Sequence, residues 1–383
     1  MLRIVVYGYV VRAPLGGFAW HHLQYVSGLL RLGHDVVFVE DGSDPAGFYN
    51  PQLDAMNSDP SHGLHFIEDA CNGCGIGGRW AFFDAITDTW HGPRSADIVD
   101  FCATADLLIN LNDPAPLRPW LATIPVRALI DTDPVFMQVR NLQDSARHAD
   151  AAQHNVFFTF AENLPAARST IPPDGFPWQP TRQPIDLALW QMKPPSSEAR
   201  WTTVMQWDSY KSVSHGGVDY GMKSAGFADY SDLPSRTHET LEIALGSGTA
   251  PKDELVEAGW RIADPIEVSR TPWTYRDYLE SSKGEFSVAK LGYVSAYSGW
   301  FSERTACYLA CGRPAVVQDT GFSSFLPTGE GLLPFRTCAE AVTQLDNASH
   351  DYARHCTAAR EIAREYFAAE TVLSDLVSRA MKP

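Results

Sequence analysis

At 383 residues, with 45% hydrophobic and 20% charged residues, the chain is long enough for two ordinary globular domains and is not of disordered composition. A formal charge of −16 disfavours nucleic acid as a general partner, since that affinity rests on clustered Lys and Arg. Seven scattered cysteines suit reduced thiols and a cytoplasmic location, and no stretch approaches the ~18 uncharged apolar residues of a membrane span.

The apolar run at 2–11 is followed by Arg12 and Pro14 without a cleavage pattern, so it reads as a first strand rather than a signal peptide. Residues 3–8 form a β-branched run ending at Gly8. Pro14, Gly16 and Gly17 read as a loop, and Ala19, Leu23, Val26 and Leu30 then keep helical spacing up to a stop at Gly33. With a second apolar strand at 35–40, this is a βαβ unit, whose crossover is right-handed. Residues 41–95, rich in Gly, Asp, Asn, Pro and Trp, give no clear pattern. Cys71 and Cys74 fall there, beside Asn72 and Gly73, and read as part of a loop rather than a metal or redox pair. Strands resume at 106–111, 126–131 and 156–160.

A stretch dense in proline and tryptophan, from Pro172 to Pro195, suits an interdomain connection. The expected division is therefore an amino-terminal Rossmann-like domain at 1–190, a second at 200–365, and a terminal helix at 366–383. The second half repeats the alternation. Strands are expected at 202–207, 241–245, 285–289 and 315–318, and helices at 252–258 and 302–311. Helical spacing runs on through Tyr352, Cys356, Ala359, Ala363 and Phe367. The predicted fold class is α/β, with two Rossmann-like domains facing each other across a cleft and the terminal helices packing back on the first.

In parallel sheets ligands sit beyond the carboxyl ends of the strands, so the loops there carry the candidates. Ser302 is a natural N-cap, and Arg304, in the first helical turn, opposes the helix dipole unless an anion is bound there or Glu303 or a carboxylate of a neighbouring loop pairs with it. Thr305 shares this turn.

Residues 285–345 resemble the carboxyl-terminal half of GT-B fold glycosyltransferases, particularly the group related to glycogen synthase and sucrose-phosphate synthase. The likeness lies in Ala310-Cys-Gly-Arg-Pro314 closing a helix, followed by Val316-Val-Gln-Asp-Thr-Gly321. The first βαβ unit, with Gly16, Gly17, His21, His22, Gly33 and His34, resembles the amino-terminal half of the same fold. The resemblance implies a transferase moving a sugar from a nucleoside-diphosphate sugar to an acceptor hydroxyl, with no bound metal or other cofactor. Cys307 departs from it, standing where the family carries its second glutamate, and Ser302-Glu-Arg304 looks like a branch in which the arginine contacts the donor instead.

On this reading Arg304, Lys223 and Lys290 stabilise the departing diphosphate. Gly16, Gly17, Ser302, Thr305, Asp319, Thr320 and Gly321 line the donor site, and Trp300 offers a stacking surface. His21 or His22 supplies a general base, but not both equally, because adjacent helical residues point about 100° apart. Asp131 and Asp133 line the acceptor side, Asp131 as a further catalytic candidate. Asp131-Thr-Asp133 also matches the metal-holding DxD of GT-A enzymes. Three other readings stay open. Gly73-Cys-Gly75-Ile-Gly77-Gly78 contains a literal GxGxxG, which would suit an NAD- or FAD-dependent oxidoreductase if it joined a strand to a helix. A sugar-nucleotide epimerase or a non-catalytic nucleotide-sugar binding protein would use the same scaffold.

Overall fold

The structure is a computed structural model describing residues 1–42, 47–196 and 198–382. Two sheets organise it. The first has eight strands in the order Gln179–Pro180, Val156–Thr159, Val126–Asp131, Leu107–Asn110, Arg3–Tyr7, Asp35–Asp41, Trp80–Asp84 and Thr89–His91. All its pairings are parallel except the last. The second has six strands, all parallel, in the order Arg261–Ala263, Leu241–Gly246, Trp201–Gln206, Gly284–Ser287, Ala315–Gln318 and Leu332–Phe335. Each sheet starts near its middle and grows to both sides. That reversal opens a crevice at the carboxyl ends of Arg3–Tyr7 and Leu107–Asn110, and another at those of Trp201–Gln206 and Gly284–Ser287.

Local sequence accounts for most of these elements. The inner strands are short apolar runs buried on both faces, as parallel strands covered by helices must be, whereas the edge strands Gln179–Pro180, Thr89–His91 and Arg261–Ala263 are partly exposed. Helix Gly16–Arg31 buries Ala19, Leu23, Val26 and Leu29 against the first sheet. Helix Ala369–Ala380 packs Leu373, Leu376, Val377 and Ala380 into that same core, so the chain end does return to the first half. The spacing read through Phe367 is carried by helix Tyr352–Ile362 and then a π-helical turn, Ala363–Phe367.

Several expectations are corrected. Gly16 and Gly17 do not form a loop: the helix begins at Gly16. A Cβ at Gly16 would collide with the Thr271 carbonyl and Tyr275, so this glycine lets helix Pro272–Ser281 of the second half approach closely. Gly17 likewise faces the Tyr275 ring. Residues 41–95 contain a hairpin of Phe48–Asn50 and Ala55–Asn57, helix Ser61–Gly73 and strands Trp80–Asp84 and Thr89–His91. Cys71 lies within that helix and Cys74 caps it. Among the described residues no helix is long and apolar enough to cross a membrane.

Candidate functional site

The strands Gly284–Ser287 and Ala315–Gln318 end at a small pocket, lined by Lys223, Ser287, Trp300, Ser302, Arg304, Thr305 and Thr320 among others. Its wall is the start of helix Glu303–Ala310. Ser302 caps that helix, its Oγ accepting the Arg304 amide at 3.2 Å. The amides of Glu303 and Thr305, within the first turn, have no partner one helical turn back.

Arg304 is buried and makes three side-chain hydrogen bonds within the protein. Its Nε donates to Glu285 at 2.7 Å, one terminal nitrogen to the Val204 carbonyl at 2.8 Å and the other to Ser287 Oγ at 2.6 Å. Burial opposes its charge, but Glu285 outweighs that and raises its basicity. The carboxylate balancing Arg304 is thus Glu285, on a strand, and not Glu303 or a carboxylate of a neighbouring loop. Glu285 was missed, although a charged residue inside an apolar strand signals a buried partner.

Lys290 is also spoken for. Its ammonium donates to Asp133 at 2.8 Å and to Tyr210 Oη at 2.6 Å, and it sits over the rings of Phe136, Tyr210 and Tyr293. Asp133 accepts from the Tyr210 and Tyr293 hydroxyls as well. Burial would raise the Asp133 pKa, but Lys290 and these hydroxyls prevail and hold it low. Two residues expected on opposite sides of the substrates, Lys290 and Asp133, instead clamp the two halves together. Trp300 belongs to the same seam: it stacks on Tyr293 at 4.3 Å, and its Nε1 donates to the Thr132 carbonyl at 3.1 Å.

That leaves Lys223, which follows the hairpin Val213–His215 and Val218–Tyr220 turning at Gly216 and Gly217. Among the described residues its ammonium has no ion-pair partner. Burial, then the nearby Arg304 and Lys290 charges, press its pKa well below the ordinary lysine value, against the opposing pull of Glu285 and Glu303.

Asp319 is not a free sugar ligand. It accepts from the Gly321 amide at 2.8 Å, Ser323 Oγ at 2.7 Å and Arg336 at 2.8 Å. Gly321 has φ +102°, and a Cβ there would crowd Asn163 and Tyr297. Its missing side chain is explained by the fold, and its amide is already used. Thr320 lines the pocket while donating to the Trp300 carbonyl at 2.5 Å.

Asp131 is fully buried and saturated. It accepts from the Asp133 amide at 3.0 Å and from Gln138 and Thr159 at 2.8 Å each, and burial raises its pKa to about 7. It shapes the turn that presents Asp133, in which Val135 has φ +68° and is held by Gln138 at 2.7 Å. Both Asp131 oxygens are therefore engaged by protein donors. A metal at Asp131-Thr-Asp133 would have to displace donors from both carboxylates.

The two histidines separate cleanly. His22 is fully buried, with Nδ1 paired to the Phe18 carbonyl at 2.7 Å and Nε2 accepting the Tyr9 amide at 3.3 Å, so it is a packing residue. His21 is buried too, but its Nδ1 has no partner. Burial lowers its pKa, partly offset by Glu303 across the cleft and by Gln183.

The glycine-rich motif at 73–78 runs from a helix end into a strand, the reverse of the order a dinucleotide site needs. Glu40, at the end of the second strand where a ribose-binding acid would stand, is taken up by the loop after the first. It accepts the amides of Val10 and Val11 at 2.6 Å and of Arg12 at 2.8 Å.

No protein-family model and no curated protein sequence matches the chain. Solved structures do. An α-glucosyltransferase in complex with UDP and a 13-mer DNA aligns with TM-score 0.57 at 11% identity, over 100% of this chain and 99% of that one. Anabaena HepE in complex with UDP and glucose gives 0.56 at 10%, over 99% of each. Sucrose-phosphate synthase from Thermosynechococcus elongatus gives 0.54 at 10%, over 99% and 98%. The chain thus has the GT-B fold of glycosyltransferases, with two Rossmann-like units, as its sequence led one to expect.

Proposed function

We propose that the chain is a glycosyltransferase that moves a sugar from a nucleoside-diphosphate sugar to an acceptor hydroxyl without a bound metal. The observation that carries this reading is Lys223. It is a lysine without an ion-pair partner among the described residues, lining a pocket at the strand ends whose wall is the start of helix Glu303–Ala310. A partly desolvated ammonium beside a helix start favours a diphosphate, and it gains most when the leaving group takes up charge. Arg304, fixed by Glu285, adds positive field and shapes the pocket floor. Ser302 and Thr305 order the helix start, with Thr320 opposite.

On this reading residues 200–365 hold the donor and residues 1–190 the acceptor. His21 takes the acceptor proton on Nε2, since burial favours its neutral imidazole, which is a base at neutral pH. The GT-B neighbours supply the first donor to try, because two of them are described with UDP. The test is calorimetric titration with UDP, GDP and ADP in EDTA, followed by assay of the matching sugar nucleotides for sugar release or transfer. Tight binding of one diphosphate in EDTA, with turnover of its sugar conjugate, is expected. Binding that needs Mn or Mg, or preference for a dinucleotide, would overturn the reading.

A further inference from the structure

Helix Gly16–Arg31 meets the segment entering the interdomain connection, and four buried side-chain polar atoms there, Tyr25 Oη, Thr181 Oγ1, His21 Nδ1 and Gln183 Oε1, have no hydrogen-bond partner among the described residues. The last two belong to residues only 8% and 2% exposed that touch each other. The Gln183 amide is not free to turn away. Its Nε2 donates to the carbonyl of His21 itself at 3.1 Å and to that of Pro184 at 3.2 Å, which anchors the group beside His21 and leaves Oε1 over. An unpaired buried acceptor next to an unpaired ring nitrogen is costly unless the nitrogen carries hydrogen. A proton on Nδ1 supplies the donor that Oε1 lacks.

We propose that Gln183 is a positioning residue for His21: Oε1 accepts Nδ1–H, fixes that tautomer and presents the Nε2 lone pair to the cleft. The proton of the acceptor hydroxyl then passes to Nε2, and the imidazolium so formed keeps its Nδ1–H bonded to Gln183. The other groups bearing on His21 are His22 and Tyr25 on its own helix, with ring centroids at 4.8 and 6.4 Å, and Glu303 on the facing helix. His22 is held neutral by its two backbone bonds and Tyr25 is buried, leaving Glu303 and Gln183 as the groups that favour the charged ring. The catalytic assignment of His21 rests on the transferase reading; the pairing with Gln183 does not.

The test follows the His21 imidazole by NMR titration of the ligand-free full chain, assigned by loss of its signal in His21→Asn. Gln183→Met should lower the His21 pKa by about one pH unit, and Gln183→Glu, close in shape and carrying a charge, should raise it by at least as much. The acid limb of the kcat/KM profile should move in step, downward for Gln183→Met and upward for Gln183→Glu, while KM for the donor stays unchanged. An unmoved His21 titration in a folded Gln183→Glu variant overturns the pairing. Should the titration move in a protein that transfers no sugar, the pairing stands and the transferase reading falls.

Discussion

Replacing Lys223 by methionine keeps most of the apolar stem and removes the charge, and the structure gives the two consequences opposite signs. In the ligand-free protein the ammonium is partly buried, without a carboxylate partner and near Arg304 and Lys290. Its pKa lies lower in the folded than in the unfolded chain. Its penalty is therefore fully present below the folded value and fades as pH rises toward the ordinary lysine range. Exchange of an unfavourable charge for an apolar group should leave stability unchanged or raise it by about 1 kcal/mol, or roughly 1–2 °C in a chain of this size. A nucleoside diphosphate, by contrast, loses a charge-assisted contact of about 1.5–3 kcal/mol, which weakens binding by about 10- to 150-fold. Differential scanning fluorimetry of both proteins, with calorimetric titration of UDP, reads the two effects separately. Equal affinity in both proteins, or a destabilised variant that still binds, would show that Lys223 is a structural residue and refute the reasoning.

Arg304→Met should strand Glu285 and cost about 3–5 kcal/mol in urea unfolding, most of it recovered in Arg304→Met with Glu285→Gln. Normal stability with lost nucleotide binding would instead make the guanidinium a ligand group. Asp131, raised to about 7, binds its proton more tightly in the folded chain; its contribution is full below pH ~4 and is lost as pH rises through 7. Asp131→Asn should therefore flatten the dependence of stability on pH by up to about 1.4 kcal/mol per unit in that window, as measured by denaturation at several pH values. His21→Ala should lose turnover by about 100-fold or more with donor affinity kept, whereas His22→Ala should lower the melting temperature by opening a cavity beside Tyr9. Turnover in EDTA should match turnover in Mg, and a restoring effect of Mn would return Asp131 and Asp133 to the centre of the chemistry.

Residues 41–95 resisted reading for physical reasons. The hairpin at 48–57 has three-residue strands, too short to establish a period, and one of them is mostly exposed. Helix Ser61–Gly73 starts at Pro60, and the acid that caps it stands one residue further out, Asp59 accepting the Ser61 amide at 2.9 Å, within a run of Asn57, Ser58, Asp59 and Pro60 that reads first as a turn. Gly16 misled differently. Glycine before a helix suggests a loop open to ligand, whereas this one is bare because Thr271 lies against it, more than 250 residues on in the chain.

What the sequence determined by itself is what neighbours along the chain decide. The strand–helix alternation, the glycine stop at Gly33, the Ser302 cap and the helical stripe from Tyr352 to Phe367 each rest on interactions within one or two turns, and together they imply paired Rossmann-like units. Only the tertiary structure decided which charges are free. Arg304 finds Glu285 on an adjacent strand, Lys290 finds Asp133 in the other half of the chain 157 residues away, and Lys223 forms no ion pair among the described residues. Charge compensation falls off with distance through space and is indifferent to distance along the chain, so a list of basic residues could name three candidates but not separate them.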